Sequence, residues 1–166
     1  SNIADDPGRQ LWNNRYGDLR GDRRHQLKVY GFHDLPWNAS VGAYTVYQSG
    51  QPWEVWDVEA YRALLTSLGN TSTSSTARLA EPAGSRTTDA HYQLDLNYTQ
   101  NIAIGGPFEV QLRADVFNVL DKQTGYNIQN QCRDWVNNPA NCPVDFGKPR
   151  DAFDPRRLQV AVKLLF

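Results

Sequence analysis

The stretch that most limits what this chain can become is RRLQVAVKLLF, residues 156–166. Leu158, Val160, Val162, Leu164 and Phe166 are apolar, and Gln159, Ala161, Lys163 and Leu165 stand between them. Period-two alternation of this kind makes a β-strand with one apolar and one mixed face. The same texture recurs in FEVQLRADVFNVLD, where Phe108, Val110, Leu112, Ala114 and Val116 alternate with Glu109, Gln111, Arg113 and Asp115. In HYQLDLNYTQNIA, Tyr92, Leu94, Leu96 and Tyr98 alternate with Gln93, Asp95, Asn97 and Thr99. The connection IGGP, Ile104 to Pro107, suits a tight turn, because Gly tolerates positive φ and Pro cannot donate to a ladder. These two runs are predicted to form a hairpin with one apolar face.

A second hairpin is expected from RHQLKVYGFHDL and NASVGAYTVYQSG, turning at Leu35, Pro36 and Trp37. Its facing is ambiguous, since Leu27 and Val29 compete with Tyr30 and Phe32, and Val41, Ala43 and Tyr47 with Tyr44 and Val46. The expected strands are near 24–34, 39–49, 90–102, 108–120 and 157–166, with a leading loop over 1–23 and long loops over 50–89 and 121–156. Inside the first long loop, Asp57 is placed to cap a short helix, with Trp56 stapled on Tyr61 and Val58, Tyr61, Leu64, Leu65 and Leu68 as its stripe before Gly69. The following NTSTSSTARLAEPAGSRTT is small and polar, as a loop would be.

Short turns therefore fall on one side of the sheet and long loops on the other. Outer-membrane barrels share this asymmetry, and a strand of about ten residues crosses a bilayer when tilted. A soluble β-sandwich accounts for the alternation but not for one-sided loop lengths. The chain also lacks any run of the roughly 18 apolar residues that a spanning helix needs. Five strands fall short of the roughly eight that a bacterial single-chain barrel requires. Open edges in lipid would leave backbone groups unpaired, so the barrel reading expects further strands before Ser1. The absence of Met among the 166 residues and of an apolar leader agrees with that expectation.

Charge narrows the partners. Lys+Arg 17 against Asp+Glu 18 leaves a net charge of −1, which offers no nucleic-acid footprint. A mean hydropathy of −0.63 suits a soluble protein and a β-barrel alike. His25, His33 and His91 are scattered without metal-ligand spacing, and no nucleophile–base order or phosphate-cradling Gly loop stands out. No enzyme, cofactor or metal function is read from the chain. Cys132 and Cys142 in QCRDWVNNPANCP are too far apart for a CxxC pair and are expected to form a disulfide within an exported loop.

In order along the chain, RHQLKVYGFHDLPW, VYQSGQPW, TDAHYQLDLNYTQNI, ADVFNVLDKQTGY and FGKPRDAFDPRRLQVAVKLLF resemble the last strands of TonB-dependent outer-membrane receptors. The likeness is greatest to the Oar-like branch, which carries a carboxypeptidase-regulatory-like domain. It runs from about Asp22 to Phe166, and each motif is weak alone. The resemblance implies an antiparallel transmembrane β-barrel of about 22 strands, plugged in its lumen, of which this chain is the last ~5 strands. It implies a bacterial outer-membrane location and import of a bulky ligand, driven through TonB by way of an N-terminal part not present in this chain. It further implies partners in outer-membrane lipid, the plug domain of the same protein and the TonB complex, with a surface protein as a candidate fourth.

By the same resemblance, Val160, Val162, Leu164 and Phe166 match the terminal signal read by the barrel-assembly machinery. Gln93, Asp95, Asn97, Glu109, Gln111, Arg113, Asp115, Gln159 and Lys163 would face the lumen, as a hydrated wall against the plug or as a ligand path. Arg156, Arg157 and Asp154 would be rim charges. Trp53, Trp56, Tyr61 and Trp135 are candidate extracellular ligand contacts, with packing of the loops themselves as the plainer role. A non-transporting barrel acting as adhesin or scaffold, and a soluble extracellular β-domain, remain the alternatives. The soluble case expects Leu158, Val160, Val162 and Leu164 to lie beneath a second sheet.

Overall fold

In the computed structural model, residues 14–57, 69 and 78–166 are described. The chain is all-β, built from β1 (Gln26–Leu35), β2 (Ala39–Gln48), β3 (Pro52–Trp53), β4 (Trp56–Asp57), β5 (Arg78–Leu79) and β6 (Arg86–Thr87), followed by β7 (His91–Gly105), β8 (Phe108–Phe117), β9 (Gly125–Ile128), β10 (Gln131–Cys132), β11 (Pro149–Ala152) and β12 (Arg157–Leu165). Among the described residues the helical structure is a single 3-10 turn, Pro139–Asn141. No described helix is long and apolar enough to cross a membrane. The short helix expected after Asp57 lies outside the described residues.

Two compact units divide the chain. One consists of Arg24–Ser49, Ala90–Thr124 and Phe153–Phe166, and holds an antiparallel sheet in the order β1-β2-β7-β8-β12. Alternation is the reason these five runs become strands, and two short turns set the register. In the β1–β2 turn Asn38 takes φ 56, and the Gln100 side chain donates to Trp37 O at 2.9 Å. In the β7–β8 turn Gly105 and Gly106 take φ 113 and 60, a region where a Cβ would be strained. A bulge between Ala103 and Gly105 precedes it. Both turns close the same end of the sheet, and the connections β2–β7 and β8–β12 leave from the other.

Register determines which residues share a face. Leu27 pairs with Tyr47, Tyr47 with Tyr92, Leu96 with Val116 and Val116 with Leu158. The ambiguous first hairpin is thereby resolved: Leu27, Val29, Val41, Ala43 and Tyr47 share the apolar face. Tyr30, Phe32, Tyr44 and Val46 lie on the opposite face, with Gln93 and Asp95.

The other unit draws on Ser1–Arg23, Gly50–Asp89 and Gly125–Ala152. Its ladders are brief. β4 pairs antiparallel with β5 and parallel with β10, β9 pairs with β11, and β3 pairs with β6. Val55, Ile128 and Cys132 are buried here beside Glu54, Asp57 and Asn130. The segments read from sequence as long loops are thus built structure in their described parts. Strands of two to four residues are too short for a period-two signal to register.

Candidate functional site

The sheet separates charge by face. The Asp, Glu, Lys and Arg residues of its five strands are Lys28, Asp34, Asp95, Glu109, Arg113, Asp115, Arg157 and Lys163. The pairings put every one of them on one face. Gln93, Asn97, Gln111 and Gln159 share it, so the nine residues proposed from sequence for the polar face do stand together on one side. Asn97, Asp115 and Gln159 form a single cross-strand row, and Asn97 lies over Gly42, where an added Cβ would sit 2.5 Å from its Nδ2.

These polar groups hold one another. Arg113 grips Asp115 through two nitrogens, Nε to Oδ2 at 2.8 Å and Nη2 to Oδ1 at 3.0 Å. Gln93 Nε2 donates to both oxygens of Asp95, at 2.8 and 2.9 Å. Asp95 Oδ1 also accepts the Asn118 backbone N–H at 2.8 Å, and Gln111 Nε2 donates to Asn101 Oδ1 at 2.9 Å. Charge-assisted bonds of this type orient side chains firmly. At the end of the sheet away from the turns, His91 is buried, stacked on Phe153 with ring centroids 3.6 Å apart, and its Nδ1 lies 3.2 Å from Thr124 Oγ1.

The opposite face has no Asp, Glu, Lys or Arg, its one imidazole being that of His33 beside Val41, and it is bare. Leu158, Val160, Val162 and Leu164 are 66, 67, 69 and 53% exposed, and Phe166 is 90% exposed. Leu27, Val29, Val41, Leu96, Ile102 and Leu112 are exposed beside them. Aromatic residues bound the patch. Tyr47 and Tyr92 pair across strands at the end of the long connections. Toward the turn end, Trp37 Nε1 donates to Tyr98 Oη at 3.3 Å, with Phe108 also exposed. No second sheet covers this face among the described residues.

The aromatic residues of the other unit are bound to their neighbours. Arg86 lies 5.1 Å from the Trp53 ring and 5.5 Å from the Trp135 ring, and Trp135 packs against Phe146 at 5.3 Å. Glu81 takes Arg86 Nε and Nη2 at 2.8 and 2.6 Å. Partial burial alone would raise the Glu81 carboxyl. The Arg86 bonds and charge, with bonds from Ser85 and the Val55 backbone, outweigh it and hold the group below its ordinary value. Trp56 Nε1 donates to Glu54 Oε1, while Glu54 Oε2 accepts the Gly84 N–H at 3.1 Å. Tyr61 lies outside the described residues.

Cys132 and Cys142 form a disulfide, as their spacing suggested. The loop that it closes is tied a second time, because the buried Asp57 carboxylate accepts the Asp134 and Val136 N–H groups at 3.1 and 3.0 Å. Sequence reading missed Glu54 and Asn130 as loop organisers and gave Asp57 only a local capping role, since these partners lie 30 to 79 residues away. The Glu81–Arg86 pair left a fainter local signal, an acid five residues from a base around Pro82 and Gly84. Among the described residues, no group of three His, Cys, Asp or Glu could hold a metal ion. Compared with protein-family models, curated proteins and solved structures, the chain matches none.

Proposed function

We propose that this chain is part of the wall of an outer-membrane β-barrel of the TonB-dependent receptor type, which binds a bulky ligand at its extracellular loops and imports it with energy passed through TonB. The observation that carries the membrane reading is the segregation of faces. One side of the sheet has every Asp, Glu, Lys and Arg of the strands, with Asp95, Arg113 and Asp115 hydrogen-bonded among their neighbours, and the other has none of these, is bare and is edged by aromatics. Water penalises such a bare face, whereas a lipid bilayer is its natural solvent.

The dimensions agree. From Tyr92 to Ile102 the chain advances about 33 Å at the usual strand rise. A tilt of about 40° reduces that to about 25 Å, the height of the apolar band of outer-membrane barrels. The edges of β1 and β12 are unpaired among the described residues, and further strands would complete them. The polar face is then the lumen wall, where Arg113, Asp115, Gln93 and Asp95 meet water and the plug. Transport rests on the resemblance of the five motifs, and folded long connections give such a receptor a stable ligand-facing surface.

The test places an environment-sensitive fluorophore at successive β12 positions in the protein reconstituted into bilayers with brominated acyl chains. Quenching is expected at 160, 162 and 164 and not at 159, 161 and 163. Uniform quenching, or a protein that stays in solution without detergent, would sink the membrane reading. Transport is tested separately in cells. Disrupting this gene and disabling TonB must abolish uptake of the same solutes, and an adhesin would show no such dependence.

A further inference from the structure

Ahead of the first strand the chain reads DLRGDRR, residues 18–24. Four of these residues make a closed turn, in which the Asp22 N–H donates to Leu19 O at 2.9 Å. Arg20 and Gly21 are its central pair, and Gly21 takes φ 94. Positive φ at the third position is what a type II turn demands, and Gly meets it without strain. Among the described residues, a Cβ built on Gly21 would meet Gln51 Nε2 alone, at 3.9 Å, so the crest of the turn stands clear. Arg20, Gly21 and Asp22 are all exposed.

The turn itself brings an arginine and an aspartate to either side of one glycine. Among the described residues the Asp22 carboxylate takes no hydrogen bond or ion pair. Arg20 Nη2 donates to Asn127 Oδ1 at 3.3 Å, a neutral acceptor that leaves the rest of its five donors. Asn127 donates in turn to Asp151 Oδ2 at 2.7 Å, so the nearest acid along this chain of bonds is held by the amide. Asp18, Arg23 and Arg24, the charged neighbours in sequence, have contacts of their own.

We infer that Arg20, Gly21 and Asp22 form a recognition surface for an adhesion protein whose binding face holds a divalent cation beside an acidic pocket. Asp22 would complete the coordination of that cation through a carboxylate oxygen, the ligand that hard divalent ions take. Arg20 would enter the acidic pocket, where its planar fork pairs with a carboxylate through two parallel bonds. Gly21, without a side chain, lets the partner come against the backbone between them. Surrounding charge favours a metal ion over a partner lysine or arginine. Arg20, Arg23 and Arg24 flank Asp22 and would repel a cationic side chain brought to it. An ion already neutralised by the partner's own carboxylates still offers an open coordination position. The turn is closed beforehand, so little ordering is lost on contact. The inference adds a second binding activity to the proposed wall and rests on that reading only for the placing of the chain at a cell surface.

The experiment is surface plasmon resonance of the detergent-purified protein on an immobilised cell-adhesion receptor ectodomain, one that holds Mg²⁺ and binds linear Arg-Gly-Asp peptides. Saturable binding is expected with Mg²⁺ and none with EDTA, and a linear Arg-Gly-Asp peptide should compete. Asp22→Glu keeps the charge but moves the carboxylate by a methylene. It and Arg20→Gln are each expected to weaken binding about thirtyfold, as loss of a central interface contact does. Both variants should unfold as the unaltered protein does, and Asp145→Asn, an exposed carboxylate of the same unit, should change nothing. No binding by the unaltered protein, or binding that survives EDTA or Asp22→Glu, would overturn the inference. If β12 quenching alternates while the ectodomain is not bound, the wall stands and this surface alone falls.

Discussion

Val162→Arg tests the reasoning most directly. Val162 is 69% exposed, pairs with Leu112 on β8, and lies four positions from both Leu158 and Phe166. Four strand steps are about 13 Å, or about 10 Å of depth at a tilt of about 40°. On the proposed wall reading, that puts its side chain near the middle of an apolar band about 25 Å tall. An arginine on the lipid face of a barrel costs about 2–4 kcal/mol at mid-membrane and about 0–1 kcal/mol near the interface. Val162→Arg should therefore destabilise by about 2–4 kcal/mol, and Leu158→Arg, one border away, by about 0–1 kcal/mol. Gln159→Arg stands on the polar face opposite Asp115 and should stay within about 0.5 kcal/mol.

The assay is reversible guanidinium unfolding of the protein in bilayers, followed by tryptophan fluorescence and by the shift between folded and unfolded bands on gels. The depth profile is what discriminates. A sheet face open to water would give near-zero values at 158 and 162 alike. A face packed under a second sheet would make both substitutions expensive, with no gradient toward the border. Either pattern refutes the lipid-facing assignment.

Three further outcomes follow from the loop unit and the sheet rim. Asp57→Ala leaves the Asp134 and Val136 N–H groups without their buried acceptor and should cost about 1–3 kcal/mol, read as faster hydrogen exchange at those two amides. Reducing Cys132–Cys142, ten residues apart, should lower stability by about 3 kcal/mol in the chain-entropy model, measured by denaturation with and without reductant. The backbone N–H of Arg156, helped by a side-chain bond from Gln123 and the Arg156 charge, holds the Asp121 carboxyl below its ordinary value against desolvation, which is the second-largest effect. A lowered folded-state value stabilises the protein above the unfolded carboxyl range, near pH 4, and that stabilisation is lost as pH falls through the lowered value. Protection of the Arg156 amide should fall in that acid window, and Asp121→Asn should remove the dependence.

Legibility in the sequence followed the range of the forces involved. β7, β8 and β12 could be read because one face is almost wholly apolar and the other mostly polar, so parity assigns nearly every side chain. In β1 and β2 both parities contain apolar residues. Tyr30 and Phe32 lie on the polar face, and only pairing with β7 settles which side is which. The long connections hid their order for another reason. Their ladders are two to four residues long, and their organising bonds, such as Asn130 Nδ2 to Glu54 O at 2.9 Å, link segments 76 residues apart. The candidate site divided the same way. The polar row and the disulfide were visible, while the Arg86 bridge between Trp53 and Trp135 depended on tertiary folding.

The aromatic residues of the loop unit change the expectation for ligand contact. Trp53 and Trp135 are turned toward Arg86, and Arg86 is held by Glu81, so much of their surface is spent on internal packing. A loop fixed by a disulfide, a buried carboxylate and a cation–aromatic bridge loses little further entropy when something binds to it. Rigid presentation of this kind suits capture of a bulky solute at a surface. The sheet is made for a different task. Its charged groups stand on one side, with Arg113 bound to Asp115, and on the proposed reading the apolar residues of the other side meet lipid. A soluble domain would have to bury that apolar face, and the buried apolar residues of the sheet, Ala39 and Val46, are too few to serve as the core of one. On the proposed reading each unit is matched to its own solvent, a bilayer for the sheet and water for the loop unit.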